Sequence, residues 1–332
     1  MEQSPLQPTP VGAFRFNTDT SKMEYYDGNQ WVNITSTSPE AQTGGTRGVW
    51  MGGSDGTDRN TIDYANLDST GNAIDFGDLS TARQSNGDGG MASRTRGFIA
   101  NGASPIAGQI GYITFSSTGN ETDFGDMASS VTNGAGTASD SIRGLIFGGY
   151  AAPATVNVIQ YITMATSGNG IDFGDLSDSG TSSAVASPTR AVAVDSSSNT
   201  IEYVTISTTG NASDFGDSTW AGGHRAFGSN AIRGVGFGGE IAPSGSKTNI
   251  IEYLTMASLG NTLDFGDTIA AIAEGSTASS PTRAVYGGGN PSGQNTMQYV
   301  QIMSTGNAVD FGDLTQGRGH CDACSNGHGG LG

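Results

Sequence analysis

Short apolar runs recur along the chain with a period of two rather than the 3.6 of a helix. The clearest is 201–206, Ile-Glu-Tyr-Val-Thr-Ile, a β-branched and aromatic stretch that reads as a strand. Ile201 and Tyr203 project to one side and Val204 and Ile206 to the other, so both faces are apolar. That is the pattern of a sheet held between two other sheets. Equivalent runs carry Tyr64, Tyr112, Tyr161, Tyr253 and Tyr299, and each of the six tyrosines is followed 12 residues later by the Phe of an Asp-Phe-Gly-Asp segment. Those phenylalanines are Phe76, Phe124, Phe173, Phe215, Phe265 and Phe311, at intervals of 48, 49, 42, 50 and 46. A Gly-Asn pair lies between Tyr and Phe every time, from 71–72 to 306–307, and supplies residues that tolerate a left-handed turn. The unit therefore predicts a hairpin of fixed length. Upstream, strands begin at Arg47, Arg143, Arg233 and Arg283, with poorer copies at Arg96 and Arg190. A small-residue segment such as 177–187 precedes each and supplies a fourth strand.

Four short strands in about 47 residues, without helical periodicity, is the arithmetic of a β-propeller blade. After the sixth Asp-Phe-Gly-Asp the stretch 314–332 has room for two strands, and 13–34 reads as strands around Tyr25, Tyr26 and Trp31. Joining these halves predicts an all-β, seven-bladed ring over 13–332, behind an N-terminal arm of 1–12. Its closing blade is shared by 13–35 and 315–332, which removes two unpaired edges. The alternative is six blades with the first 36 or so residues as a separate attachment module.

Composition sharpens this picture. Glycine contributes 53 of 332 residues and only 35% are apolar, which disfavours amphipathic helices. With 14 basic against 31 acidic residues the formal charge is −17, and Lys22 and Lys247 are the only lysines. Dispersed arginines on so acidic a chain argue against nucleic acid as a partner. No apolar run reaches the length of a membrane span, and 1–10 lacks the basic and apolar regions of a secretory signal.

The Gly-Gly after one strand, the Tyr on the next and the aromatic on the last resemble the Kelch repeat, with Phe where that family has Trp. The segment 12–20, Gly-Ala-Phe-Arg-Phe-Asn-Thr-Asp-Thr, followed by Glu24, Tyr25, Tyr26, Asp27, Gly28 and Trp31, resembles a module near the ends of tailed-phage fibre proteins. Units such as 251–255 with 260–261 and 264–267 are similar to repeat proteins of tailed phages of marine bacteria, including cyanobacteria. The resemblance implies a non-enzymatic virion protein: a tail fibre, appendage or surface decoration. Its expected partners are other virion subunits, a host-surface glycan or further copies of itself, with no cofactor, no nucleic acid and no membrane insertion. A propeller enzyme acting on host polysaccharide is the competing class.

Candidate chemistry is sparse. Repeated aspartates near turns are expected to bind backbone amides, with 54–58, Ser-Asp-Gly-Thr-Asp, as the best calcium candidate. Cys321, Cys324 and His328 make half of a zinc site, set against buried residues of a closing blade. The in-register arginines are expected to form ion pairs with repeated aspartates between blades, or else a central anion site. His224 reads as a loop residue. Length varies in the connections 54–61, 103–109, 150–158, 195–200, 240–250 and 290–296, which on a propeller emerge on one face. Ser54, Asp55, Asp58, Tyr150, Glu240, Lys247 and Asn290 are the candidate binding residues there.

Overall fold

A computed structural model describes residues 9–18, 22–33, 45–85, 90–100, 102, 108–180, 182–290 and 293–331. The chain divides into two compact units, Met1–Ala41 and Gln42–Gly332. Within the larger unit, six antiparallel sheets of four or more strands follow one another among the described residues, beside one two-stranded ladder. The third, for example, runs Gly136–Ser139, Arg143–Phe147, Val158–Thr163 and Ile171–Asp175, each strand paired with the next. The fifth is extended by Gly222–Gly223 and Glu240–Ile241. All six tyrosines, all six Asp-Phe-Gly-Asp segments and all six arginines, including the weaker copies at Arg96 and Arg190, fall on strands at matching positions.

Among the described residues the strands of 13–33 pair with one another, and the expected ladder between 13–35 and 315–332, with its seventh sheet, is not found. Instead Asp322–Ser325 pairs with Arg47–Met51 and completes the first sheet, whose other strands are Thr61–Asn66 and Ile74–Asp78. The reason is compositional. Segment 322–325 has the small residues of the other first strands, Asp-Ala-Cys-Ser beside Ser-Thr-Ala-Ser at 276–279, and the first sheet otherwise lacks that strand. The smaller unit builds its own sheet from Phe14–Asn17, Lys22–Tyr26 and Trp31–Asn33. Of the proposed arm 1–12, residues 1–8 lie outside the described residues.

The core is a series of layers between sheets. Trp50 packs with Val285, Met297 and Phe311 of the sixth sheet, whereas its neighbours Val49 and Met51 pack with Ile99 and Ile113 of the second. Alternation along a strand thus feeds two cores, as at Ile201 and Val204. Six such layers join first to second, second to third and so on, and the layer between sixth and first returns the series to its start. The first strands also touch in cyclic order, from Met91–Ala92 through Ser276–Ser279 to Asp322–Ser325 and back.

Three repeated contacts hold neighbouring sheets together. The Gly of each Gly-Asn donates its N–H to the Phe carbonyl of the preceding sheet at 2.8–3.1 Å, six times, with Gly71 to Phe311 as the closing bond. The adjacent Asn Oδ1 accepts the amide of the last Asp of that Asp-Phe-Gly-Asp, from Asp78–Asn120 to Asp313–Asn72, at 3.0–3.1 Å. The glycine of Asp-Phe-Gly-Asp is required by this approach: at Gly125 φ is +149° and a Cβ would lie 2.6 Å from the Gly168 carbonyl oxygen. Each repeated Arg lies over its own Tyr at 4.4–4.8 Å and donates to a carbonyl of the next sheet. Among the described residues, carbonyl and ring contacts thus take the place expected for Arg–Asp pairs. The aspartates stand on the outermost strand, where their backbone amides rather than their carboxylates meet the neighbour.

Candidate functional site

The phenylalanines of the repeat are all but fully buried and meet their tyrosines edge to face at about 6 Å. They are core, as their fixed spacing predicts. The residue before each Tyr has an equally fixed task that sequence reasoning missed. Asp63, Gln160, Glu202, Glu252 and Gln298 each accept the amide of a residue just past the preceding Asp-Phe-Gly-Asp, at 2.9–3.2 Å. In the second sheet the position is Gly111, and Glu121, just before the neighbouring strand Thr122–Asp126, accepts from Ser80 at 2.8 Å. A Cβ on Gly111 would collide with that carboxylate. The usable signal was a polar acceptor before Tyr in five of six repeats.

Three of these acceptors also hold a buried arginine: Arg83 on Glu121, Arg225 on Glu252 and Arg318 on Asp63. Burial pulls the Arg225 guanidinium below its ordinary range, and Glu252 opposes that shift. Such pairs contribute modestly to stability when intact and are costly to break.

Variable connections surround a polar cleft of about 410 Å³, lined by Ser54, Asp55, Gln84, Glu274, Asn290 and His320 among others. The structure thus gathers three of the loop candidates, Ser54, Asp55 and Asn290, in one place. Glu240 and Lys247 face each other across a short ladder at 3.6 Å. Tyr150 lies on a separate two-stranded ladder of the third repeat, and Asp58 bridges back to Ser54. Of the connection 103–109, residues 103–107 lie outside the described residues. At the calcium candidate 54–58, Arg59 Nε and Nη2 bind the two oxygens of Asp55 at 3.1 and 2.6 Å. That contact, with the Thr57 amide, holds the Asp55 carboxyl below the usual range. Deeper in the cleft, the Glu274 carboxylate accepts from Asn290 Nδ2 at 2.8 Å and lies 3.3 Å from His320 Nε2. Burial lowers the His320 pKa, against the pull of Glu274.

The half zinc site is taken apart by strand alternation. Cys321 packs with Trp50 between first and sixth sheets, and Cys324 packs with Ile99 and Ile113 between first and second. Neither cysteine is in a disulfide and both are buried, and burial drives the Cys324 pKa well up. His328 is likewise buried, with Nε2 2.9 Å from the Ala92 carbonyl oxygen and Nδ1 accepting from the Gly330 amide.

The repeat geometry has a counterpart among solved structures. The structure titled YjhT is similar over 74% of this chain and 88% of its own, with a TM-score of 0.60 at 12% identity. At that identity the likeness is one of fold. No family model matches the chain, and no curated protein matches it. No helix among the described residues is long and apolar enough to cross a membrane.

Proposed function

We propose that residues 42–332 form a six-bladed β-propeller and that the chain is a non-enzymatic structural protein of a phage virion, a fibre, appendage or decoration. On this reading the N-terminal sheet is its attachment module. The observation that carries it is the face of that sheet. Phe14 stands opposite Tyr25 and Phe16 opposite Met23, and all four are exposed, the phenylalanines by 68% and 57%. The other face is closed by polar groups: Arg15 lies 4.2 Å over Trp31 and binds Glu24 at 2.7 Å, while Asn17 donates to the same carboxylate. An apolar ladder turned outward beside a satisfied polar face suits burial against another protein.

The larger unit supports the same reading. Its invariant residues are committed to joining sheets, and the variable loops on its rigid frame supply the surface for a neighbouring subunit or a host glycan. Immunogold labelling and quantitative mass spectrometry of gradient-purified particles test the assignment. A fixed copy number and label confined to one part of the particle are expected. A chain abundant in infected cells and missing from purified particles would overturn it.

A further inference from the structure

The fifth, sixth and first sheets each present one residue at the same register, two positions before the first strand: His224, Glu274 and His320. Among the described residues these are the only non-glycine positions with positive φ, at 55°, 65° and 54°. The backbone needs this conformation. Glu274 donates its amide to the His224 carbonyl, His320 to Glu274, Ser85 to His320 and Gly134 to Ser85, in one run of bonds from sheet to sheet. At Gly134 the same left-handed geometry, φ +71°, is met by glycine. Glycine would serve the fold equally well at the other three, so the chain accepts backbone strain three times in succession to hold an imidazole, a carboxylate and an imidazole together.

Glu240 adds a second carboxylate. One ligand atom from each of His224, Glu240 and Glu274 lies within 4.8 Å of the others. His320 Nε2 is 3.3 Å from Glu274 Oε2, about the edge of a tetrahedron with bonds of about 2.0–2.1 Å. The two rings stand 5.9 Å apart, and His320 Nδ1 is buried without a hydrogen-bond partner. Asn290 donates to that same Glu274 oxygen at 2.8 Å and orients the carboxylate. The polar cleft gives an ion its way in, since Glu274 and His320 line it.

We propose that His224, Glu240 and Glu274 form a binding site for one divalent first-row transition ion of the zinc class, which His320 joins from beside Glu274. Two imidazoles and two carboxylates suit such an ion. Lys247, 3.6 Å from Glu240, leaves the site without its cation one net negative charge when the histidines are neutral. The ion would tie three consecutive sheets together at the point where the chain's two ends of the ring meet.

The test uses the full chain after chelation and dialysis, titrated with Zn²⁺ by calorimetry and with Co²⁺ by absorption. Wild type is expected to bind one ion, with a Co²⁺ spectrum free of thiolate charge transfer. His224→Gly, Glu274→Gly and His320→Gly retain the backbone conformation, so they fold, and each is expected to weaken binding by about tenfold or more. The proposal fails if wild type takes up no stoichiometric ion, if the three variants bind as wild type does, or if the Co²⁺ spectrum shows thiolate ligation.

Discussion

Glycine at the third position of Asp-Phe-Gly-Asp is fixed by the neighbouring sheet more than by its own strand. Gly125 and Gly119 have similar φ, +149° and +156°, but a Cβ at Gly119 would meet nothing within 4 Å, whereas one at Gly125 would strike the Gly168 carbonyl. Gly125→Ala is therefore expected to destabilise by about 1–3 kcal/mol, and Gly119→Ala by clearly less, in matched chemical denaturation. His328 gives a second residue-scale expectation. Burial lowers its pKa to about 4 from an ordinary 6.5, so between those values the unfolded chain binds the extra proton. Stability is full above pH 6.5 and falls as the pH drops toward 4, by about 3 kcal/mol. His328→Gln removes this component, so its stability curve should be flatter than wild type across that window.

At the scale of the element, the second repeat shows how one sheet can lose a residue and keep its contact. Gly111 lacks the acceptor that precedes the other tyrosines, and Glu121, ten residues on, supplies the carboxylate for Ser80 and Arg83. Glu121→Ala leaves the Arg83 guanidinium buried without its partner, an expected loss of about 3–5 kcal/mol. Adding Gly111→Glu puts the carboxylate back on the position used at Glu252, so the double variant should recover most of that loss, while Gly111→Glu alone collides with Glu121. Urea denaturation of the four proteins checks this as a double-mutant cycle. The hairpin was legible in the sequence because its length never varies and its Tyr, Gly-Asn and Phe each have a single role. The acceptor before Tyr was not, since Asp, Gly, Gln and Glu share the position and only the amide it meets unites them. At 321–328 the sequence offered a metal spacing and, favoured over it, buried residues of a blade, and strand alternation sends Cys321 and Cys324 into different cores.

For the whole molecule, the number of sheets depended on which segment closes the first. Aromatic residues at 13–31 resemble the last half of a repeat, but the missing strand was a first strand, and those are recognised only by small residues, a weak pattern shared by many loops. The consequence is an asymmetry between the termini. Segment 322–325 lies between Arg47–Met51 and its neighbours and is wholly buried, whereas the N-terminal sheet belongs to a unit with its own contacts. Ending the chain before residue 320 uncovers the edge of Arg47–Met51, with Val49, Trp50 and Met51 now fully buried. Such an edge pairs with other chains. That truncation is expected to give aggregated protein without a cooperative thermal transition. Removing residues 1–41 is expected to leave the transition of 42–332 within about 2 °C of the full chain, because ΔΔG near zero moves a midpoint little. The same 42–332 protein should fail to enter particles if the exposed Phe14, Phe16, Met23 and Tyr25 face is the attachment surface. Normal incorporation of 42–332 would move attachment to the loop face, and a large fall in its melting temperature would show that the N-terminal unit stabilises the larger one.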